Sequence, residues 1–187
     1  MGHTSLEVFE CFPVLETNRF ILRKLKQSDA KSIFSYLSRE EVIRYYDIDK
    51  LTQQQQAVEL IESILFRYNI ERQLRWGITI KEQNIVIGTC GFHAIEVENF
   101  KAEIGYDLHP EYWGKGIMTE VVNKIVEYGF YQMGLNRIEA YYHPLNNASR
   151  RVLEKSGFKF EGLLRKRFFK KGEFIDAALS SLIKDEL

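Results

Sequence analysis

One uninterrupted stretch, Glu103-Ile-Gly-Tyr-Asp-Leu-His-Pro-Glu-Tyr-Trp-Gly-Lys-Gly-Ile-Met-Thr119, limits the possible folds more than any other part of the chain. It alternates like a strand as far as Leu108, breaks at the turn Gly114-Lys115-Gly116, and resumes as a helix start at Ile117, Met118 and Thr119. A helix N-terminus leaves backbone N–H groups without intrahelical partners and carries about half a positive charge, so main chain alone can hold a phosphate there. Glycine at 114 and 116 admits φ > 0 and offers no side chain to block close approach. Lys115 adds a mobile positive charge. The P-loop order Gly-x-x-x-x-Gly-Lys-[Ser/Thr] does not occur, so the cradle is of another kind.

The periodicity around this stretch predicts an α/β fold. Residues 1–12 have no useful period and read as an extension before a domain spanning 13–187. Phe20 to Leu25 predicts a strand, followed by Ser28-Asp29 as the cap of a helix whose face is Ala30, Ile33, Phe34 and Leu37. Ala57, Leu60, Ile61, Ile64, Leu65 and Tyr68 fill the apolar slots of a second helix, with glutamines 53–56 as its first exposed turn. Trp76–Ile80 and Ile85–Phe92 flank a polar Lys-Glu-Gln-Asn turn and form a hairpin. In the strand over 102–108, Ala102, Ile104, Tyr106 and Leu108 point one way and Glu103, Gly105 and Asp107 the other, so a glutamate faces an interior or a cleft. A helix over 115–131, a strand over 137–142 and a helix over 147–156 follow, then strands over 158–168 and 174–183 joined at Lys171-Gly172. Strand, helix, strand is a parallel crossover, and Gly157 stands where a left-handed helix terminus is expected. No repeat or long linker divides the chain, and at 187 residues one domain is expected.

Twenty-six Lys plus Arg against twenty-six Asp plus Glu give zero formal net charge, so no molecule-wide attraction to nucleic acid or anionic membrane is built in, and none is expected. The local exception is Arg165-Lys166-Arg167 with Lys170 and Lys171. It reads either as a solvated hairpin end or as a contact for phosphates, an acidic substrate or RNA. Two cysteines, Cys11 and Cys90, make neither a disulfide framework nor a metal spacing, which fits a reduced, cytoplasmic protein with no metal. No apolar run is long enough to span a bilayer, and the acids at Glu7, Glu10 and Glu16 break any signal-peptide pattern.

The glycine turn is followed by Pro144-Leu-Asn-Asn-Ala-Ser149, which opens a short helix ending in Lys155-Ser-Gly-Phe158. Together with Thr17-Asn-Arg-Phe-Ile-Leu-Arg23, these motifs resemble the GNAT-type N-acetyltransferases, in particular the RimJ/RimL-like branch that acetylates ribosomal-protein N-termini. The likeness runs from Pro13 across nearly the whole chain. It implies a central mixed, mostly antiparallel sheet with helices on both faces, splayed at a V-shaped slot for acetyl-CoA between the strands 102–108 and 137–143. It also implies that backbone near Leu108 meets the pantetheine and thioester. In the same way, Gly114, Lys115, Gly116, Ile117, Met118 and Thr119 meet the pyrophosphate, and Asn146 the pantetheine.

Acetyl transfer then needs a base, an acid and an oxyanion donor. A backbone N–H placed where negative charge grows on the thioester oxygen is worth about 3–4 kcal/mol in known oxyanion holes. At pH 7 an α-amine costs about 1 kcal/mol to deprotonate and a lysine about 4.6, so N-terminal acetylation asks less of the base. The resemblance favours Glu103 for that role, directly or through water; the alternative is a carboxylate satisfied by an arginine or backbone N–H. The CoA sulfur leaves better with a proton. Many members of the superfamily supply it from a tyrosine four residues before the Gly-Phe pair, but that place is Leu153 here, which leaves Ser149 unless it only bonds backbone. Asn146 can cap the helix and bind pantetheine at once. Glu111 stands where many relatives have Gln or Arg. Trp113 is either a wall of the slot or a packing staple. His93, His109 and His143 at strand ends are structural on balance, with His109 the first to test.

The acceptor expected is the N-terminal α-amine of a protein, plausibly ribosomal. A small-molecule amine (polyamine, amino acid or drug) and a non-catalytic acyl-CoA sensor are the alternatives. Acceptor choice would lie in segment 38–75 and the 165–174 hairpin, where acids are only scattered, Asp47 and Asp49 among them. The protein is expected as a monomer or homodimer.

Overall fold

The computed structural model describes residues 7–46, 48–170 and 172–187; the Asp47 and Lys171 readings lie outside these. Eight strands form one sheet in the order β1-β2-β3-β4-β5-β6-β8-β7. They are β1 (Leu15–Glu16), β2 (Phe20–Arg23), β3 (Gln73–Ile80), β4 (Val86–Glu96), β5 (Lys101–Leu108), β6 (Arg137–Tyr142), β7 (Lys159–Lys170) and β8 (Glu173–Ile183). Every neighbouring pair is antiparallel except β5 and β6, which are parallel because the crossover helix lies between them.

Among the described residues five helices cover the two faces: α1 (Ala30–Leu37), α2 (Glu40–Ile43), α3 (Gln54–Asn69), α4 (Ile117–Tyr131) and α5 (Asn147–Lys155). The alternation of β3 assigns the faces. Leu74, Trp76 and Ile78 share a core with Val121, Ile125 and Phe130 of α4, whereas a Cβ on Gly77 would meet Leu25 and Val86, which belong to the core under α1 and α3. Both sides of β3 are therefore buried. Gly129 lets α4 lie close on the sheet, since a Cβ there would stand 2.7 Å from Phe92 Cζ and 3.2 Å from Ile138 Cδ1.

The element boundaries differ from the periodicity in a few places, each with a local cause. The first long strand ends at Arg23, and Leu25 turns into the α1/α3 core. Asp29 does not cap α1. Its carboxylate reaches back to the Lys26 N–H at 2.8 Å and takes two bonds from Arg23, also at 2.8 Å. In the glutamine run, Gln56 does the capping: its side-chain oxygen accepts the N–H groups of Thr52 and Gln53 at 2.7 and 3.0 Å. Of the first twelve residues, Glu7–Phe9 form a 3-10 turn whose Val8 is buried, and Phe9 and Phe12 pack on Tyr68.

Candidate active site

The sheet opens at its centre. β5 and β6 pair only at Lys101 with Arg137, Ala102 with Ile138 and Glu103 with Glu139. Beyond Glu103 the strands separate, and the facing edges of 104–107 and 140–142 border a cleft of about 430 Å³. Backbone groups on such edges lack strand partners across the gap, so an extended ligand can take them up as a third strand would.

Glu103 stands at the fork and lines the cleft. Its Oε2 lies 3.3 Å from His93 Nε2 on β4, which pairs with it directly. Gly105 makes room for that imidazole, since a Cβ there would be 3.2 Å from His93 Cε1. Two residues on, Asp107 is buried and accepts the hydroxyls of Tyr36, Tyr46 and Thr89 at 2.6, 2.9 and 2.6 Å. It also accepts the Thr89 N–H at 3.0 Å and Arg75 Nη2 at 2.7 Å. These bonds tie α1 and the segment after α2 to the sheet and so fix one wall of the cleft. Burial, and then Asp107, hold the Tyr36 phenol well above its ordinary range.

At the other side, Asn146 Oδ1 accepts the Ser149 N–H at 3.1 Å and caps α5. Both residues line the cleft, and the Asn146 NH₂ plays no part in that cap. Ser149 Oγ lies 2.8 Å from the Tyr106 hydroxyl, which also donates to the Ser149 carbonyl at 3.2 Å. Burial raises the Tyr106 phenol above its ordinary range, so it stays protonated at neutral pH. Leu153 is 1% exposed and belongs to the core. A tyrosine hydroxyl thus reaches Ser149 from β5, where position 153 offers none. Sequence reading passed over it, because Tyr106 falls on the apolar side of an alternating strand and nothing local marks its hydroxyl.

Residues 114–119 form an open turn at the start of α4. Gly114 and Gly116 have φ of 71° and 70°, and a Cβ built on either meets nothing within 4 Å. Open space therefore stands over the turn, as an anion cradle requires. The helix begins at Ile117 and not at Lys115 because Gly116 is left-handed. Glu120 N–H makes the first intrahelical bond, to Gly116 O at 3.2 Å, so the N–H groups of Ile117, Met118 and Thr119 precede the ladder. The Ile117 and Met118 side chains are buried, leaving only backbone to offer. Lys115 Nζ sits 5.5 Å over the Tyr112 ring, and its carbonyl accepts from Arg19, which is paired with Glu120 at 2.7 Å. The Leu108 carbonyl already accepts the Trp113 indole N–H at 2.8 Å, leaving one lone pair, and Trp113 itself is 46% exposed beside the turn.

The remaining candidates separate clearly. His109 Nδ1 accepts the Glu111 N–H at 3.2 Å and caps the turn Pro110–Tyr112; burial, then Arg39, lowers its pKa. His143 accepts the Leu145 N–H at 3.1 Å and packs on Tyr45. Of the three histidines, only His93 touches Glu103. Glu111 lies 4.0 Å from Arg39, away from the cleft lining. The β7–β8 wall brings Phe168, Lys170 and Asp176 to the cleft.

A parallel pair splayed at a carboxylate, with a glycine turn and unpaired N–H groups opening the helix that joins the two strands, is the frame expected of an acyl-CoA-dependent acyltransferase. The acetyltransferase (GNAT) domain model matches residues 19–159, and the chain belongs to that family. It is an N-acetyltransferase, and acetyl-CoA is the acetyl donor of such enzymes. The chain is 42% identical over 173 residues to the uncharacterized N-acetyltransferase YoaA of Bacillus subtilis, covering 92% of this chain and 98% of that one. It superposes on the ribosomal-protein-S5-alanine acetyltransferase of Vibrio fischeri with a TM-score of 0.78 at 27% identity, over 93% of this chain and 98% of the other. Spermidine N(1)-acetyltransferase of Escherichia coli is 26% identical over 156 residues, 83% of this chain and 81% of that enzyme. Among the described residues no helix is long and apolar enough to cross a membrane.

Proposed function

We propose that the protein transfers the acetyl group of acetyl-CoA to the N-terminal α-amine of a protein, of the ribosomal-protein type. The observation that carries this reading is the position of Glu103, at the point where β5 leaves β6 and facing the cleft. A carboxylate there can accept a proton from an amine approaching the thioester, and His93 at 3.3 Å can hold or pass it on. Ser149, oriented by Tyr106 at 2.8 Å, relays a proton to the departing sulfur and takes one back from solvent, so its hydroxyl is unchanged at the end of the step. The N–H groups at the start of α4 hold the diphosphate, and the Asn146 NH₂ bonds the pantetheine. Among the described residues the cysteines are free, in keeping with a cytoplasmic enzyme. The edge strand β7 exposes Phe160 and Leu163 and offers a dimer contact.

The likeness to the Vibrio fischeri enzyme supports a peptide acceptor, and the likeness to the spermidine enzyme supports a small amine. Release of free thiol from acetyl-CoA with a panel of peptides and amines separates the readings. α-Amine peptides should drive it. Turnover confined to polyamines or drugs would replace the acceptor, and CoA binding with no acceptor-dependent thiol would make the protein a sensor.

A further inference from the structure

Arg67 lines the cleft and has no part in the proposed chemistry. It projects from the last turn of α3, and two neutral groups hold its guanidinium: Nη2 donates to Ser63 Oγ at 3.0 Å and Nη1 to Gln73 Oε1 at 3.4 Å. Gln73 is 4% exposed, which anchors the fork at the start of β3. Among the described residues no carboxylate lies within 4.0 Å of Arg67. Arg75, the neighbouring cation, spends its charge on Asp107 at 2.7 Å. A guanidinium has five N–H donors in a fixed plane and suits bidentate capture of carboxylate or phosphate.

The facing wall adds to the same field. The Arg167 guanidinium stacks 5.6 Å over Tyr141 and 5.7 Å over Phe168, and Lys170 Nζ lies 5.5 Å over the same phenylalanine. Tyr141, Phe168 and Lys170 all line the cleft. Among the described residues the cleft carboxylates are Glu103 at the fork, Asp107 inside its own network, and Asp176, whose Oδ1 accepts the Lys166 N–H at 2.8 Å. A polyamine with one nitrogen at Glu103 would bring its other ammonium groups into a cleft that the Arg67 guanidinium also lines. An acceptor with an anion near its amine meets opposite charge at both ends.

We infer that the preferred acceptor carries an anionic group in addition to its reacting amine, with the amine at Glu103 and the anion on the Arg67 fork of the same cleft. This rests on the transfer reading above. The anion can be an acidic side chain near a peptide N-terminus or the carboxylate of a free amino acid.

The test uses matched peptides beginning Ala-Glu, Ala-Gln and Ala-Lys, together with free glutamate and spermidine. Each is assayed for thiol release and, with CoA present, for binding by calorimetry. The acidic peptide should exceed its neutral match in kcat/KM by about tenfold, the size of one charge-assisted hydrogen bond. Arg67→Gln should bring that ratio to near one while changing the neutral peptide less than about threefold, and Arg67→Lys should keep part of it. Free glutamate outpacing the acidic peptide would identify the amino-acid source. Equal rates, a preference for the Ala-Lys peptide or spermidine, or an acidic preference that survives Arg67→Gln would overturn the inference. If nothing releases thiol, the transfer reading fails separately, and the binding arm still decides: Arg67-dependent binding of the acidic peptide supports the inference, and its absence overturns it.

Discussion

The Tyr106 hydroxyl, carried by β5, lies 2.8 Å from the Oγ of Ser149 in the first turn of α5, so the two sides of the open sheet meet at one pair of hydroxyls. If Ser149 delivers the proton to the leaving sulfur, Ser149→Ala should lower kcat by about a hundredfold, within the range of general acid catalysis. Tyr106→Phe should cost less, and the double variant should lose little beyond Ser149→Ala alone, since the residues act as one unit. Single-turnover thiol release checks this; additive losses would show that the tyrosine acts independently.

Glu103→Gln should lower kcat/KM by about a hundredfold for an α-amine acceptor while leaving CoA affinity within about twofold. Raising the pH above the amine's own pKa, about 8, should restore part of the loss because the acceptor then arrives neutral. A variant equally impaired at every pH would mean that Glu103 binds substrate without moving its proton.

At Gly116, φ is 70° and nothing stands within 4 Å of an added Cβ, so substitution acts through backbone conformation and the space above the turn. Gly116→Val should weaken CoA binding at least about tenfold, at a conformational cost of about 1–2 kcal/mol. Lys115→Ala should do less, because its ammonium rests over Tyr112 and the cradle is main chain. Calorimetry with CoA ranks the two.

Much of the frame was legible in the sequence, and the failures share a cause. Alternation in 102–108 turned Glu103 toward an interior or a cleft, and it lines the cleft; Gly114 and Gly116, which can take φ > 0 cheaply, have it. Asp29 was misread because a cap signal says which residue can accept a bond, not which donor wins; Arg23 and the Lys26 N–H outcompete the helix. Tyr106 with Ser149, His93 with Glu103 and Arg75 with Asp107 are pairs brought together by strand register and helix packing across 43, 10 and 32 positions. Local pattern carries no trace of such distances.

The Asp107 cluster predicts a coupling of stability to acceptor binding. Asp107→Asn leaves Arg75 buried without its charge partner and should destabilise the fold by about 3–5 kcal/mol. Survivors should show a raised acceptor KM with CoA affinity kept, because Tyr36 and Tyr46 lose the anchor that sets the α1–α2 wall. Denaturant unfolding and steady-state kinetics on the same sample test both halves.

Acid should loosen the far side of the sheet at Glu161. Its bonds from Arg137, then Ser181, lower its pKa. A carboxylate depressed in the folded state contributes stability above its unfolded pKa of about 4.3, which is lost as pH falls through the lower folded value. Glu161→Gln should therefore melt about 2–4 °C lower at pH 7, a value for up to about 1 kcal/mol discounted for a partly exposed pair. Near pH 2 the two curves should converge; a constant gap would refute the assignment.

The most direct measurement is mass mapping of a peptide that carries both a free α-amine and a lysine, incubated with acetyl-CoA and the protein. The account predicts one acetyl group on the α-amine, one free CoA thiol per acetyl transferred, and loss of both with Glu103→Gln. Acetylation of the lysine, acetylation undiminished by that substitution, or none while spermidine is consumed would contradict it.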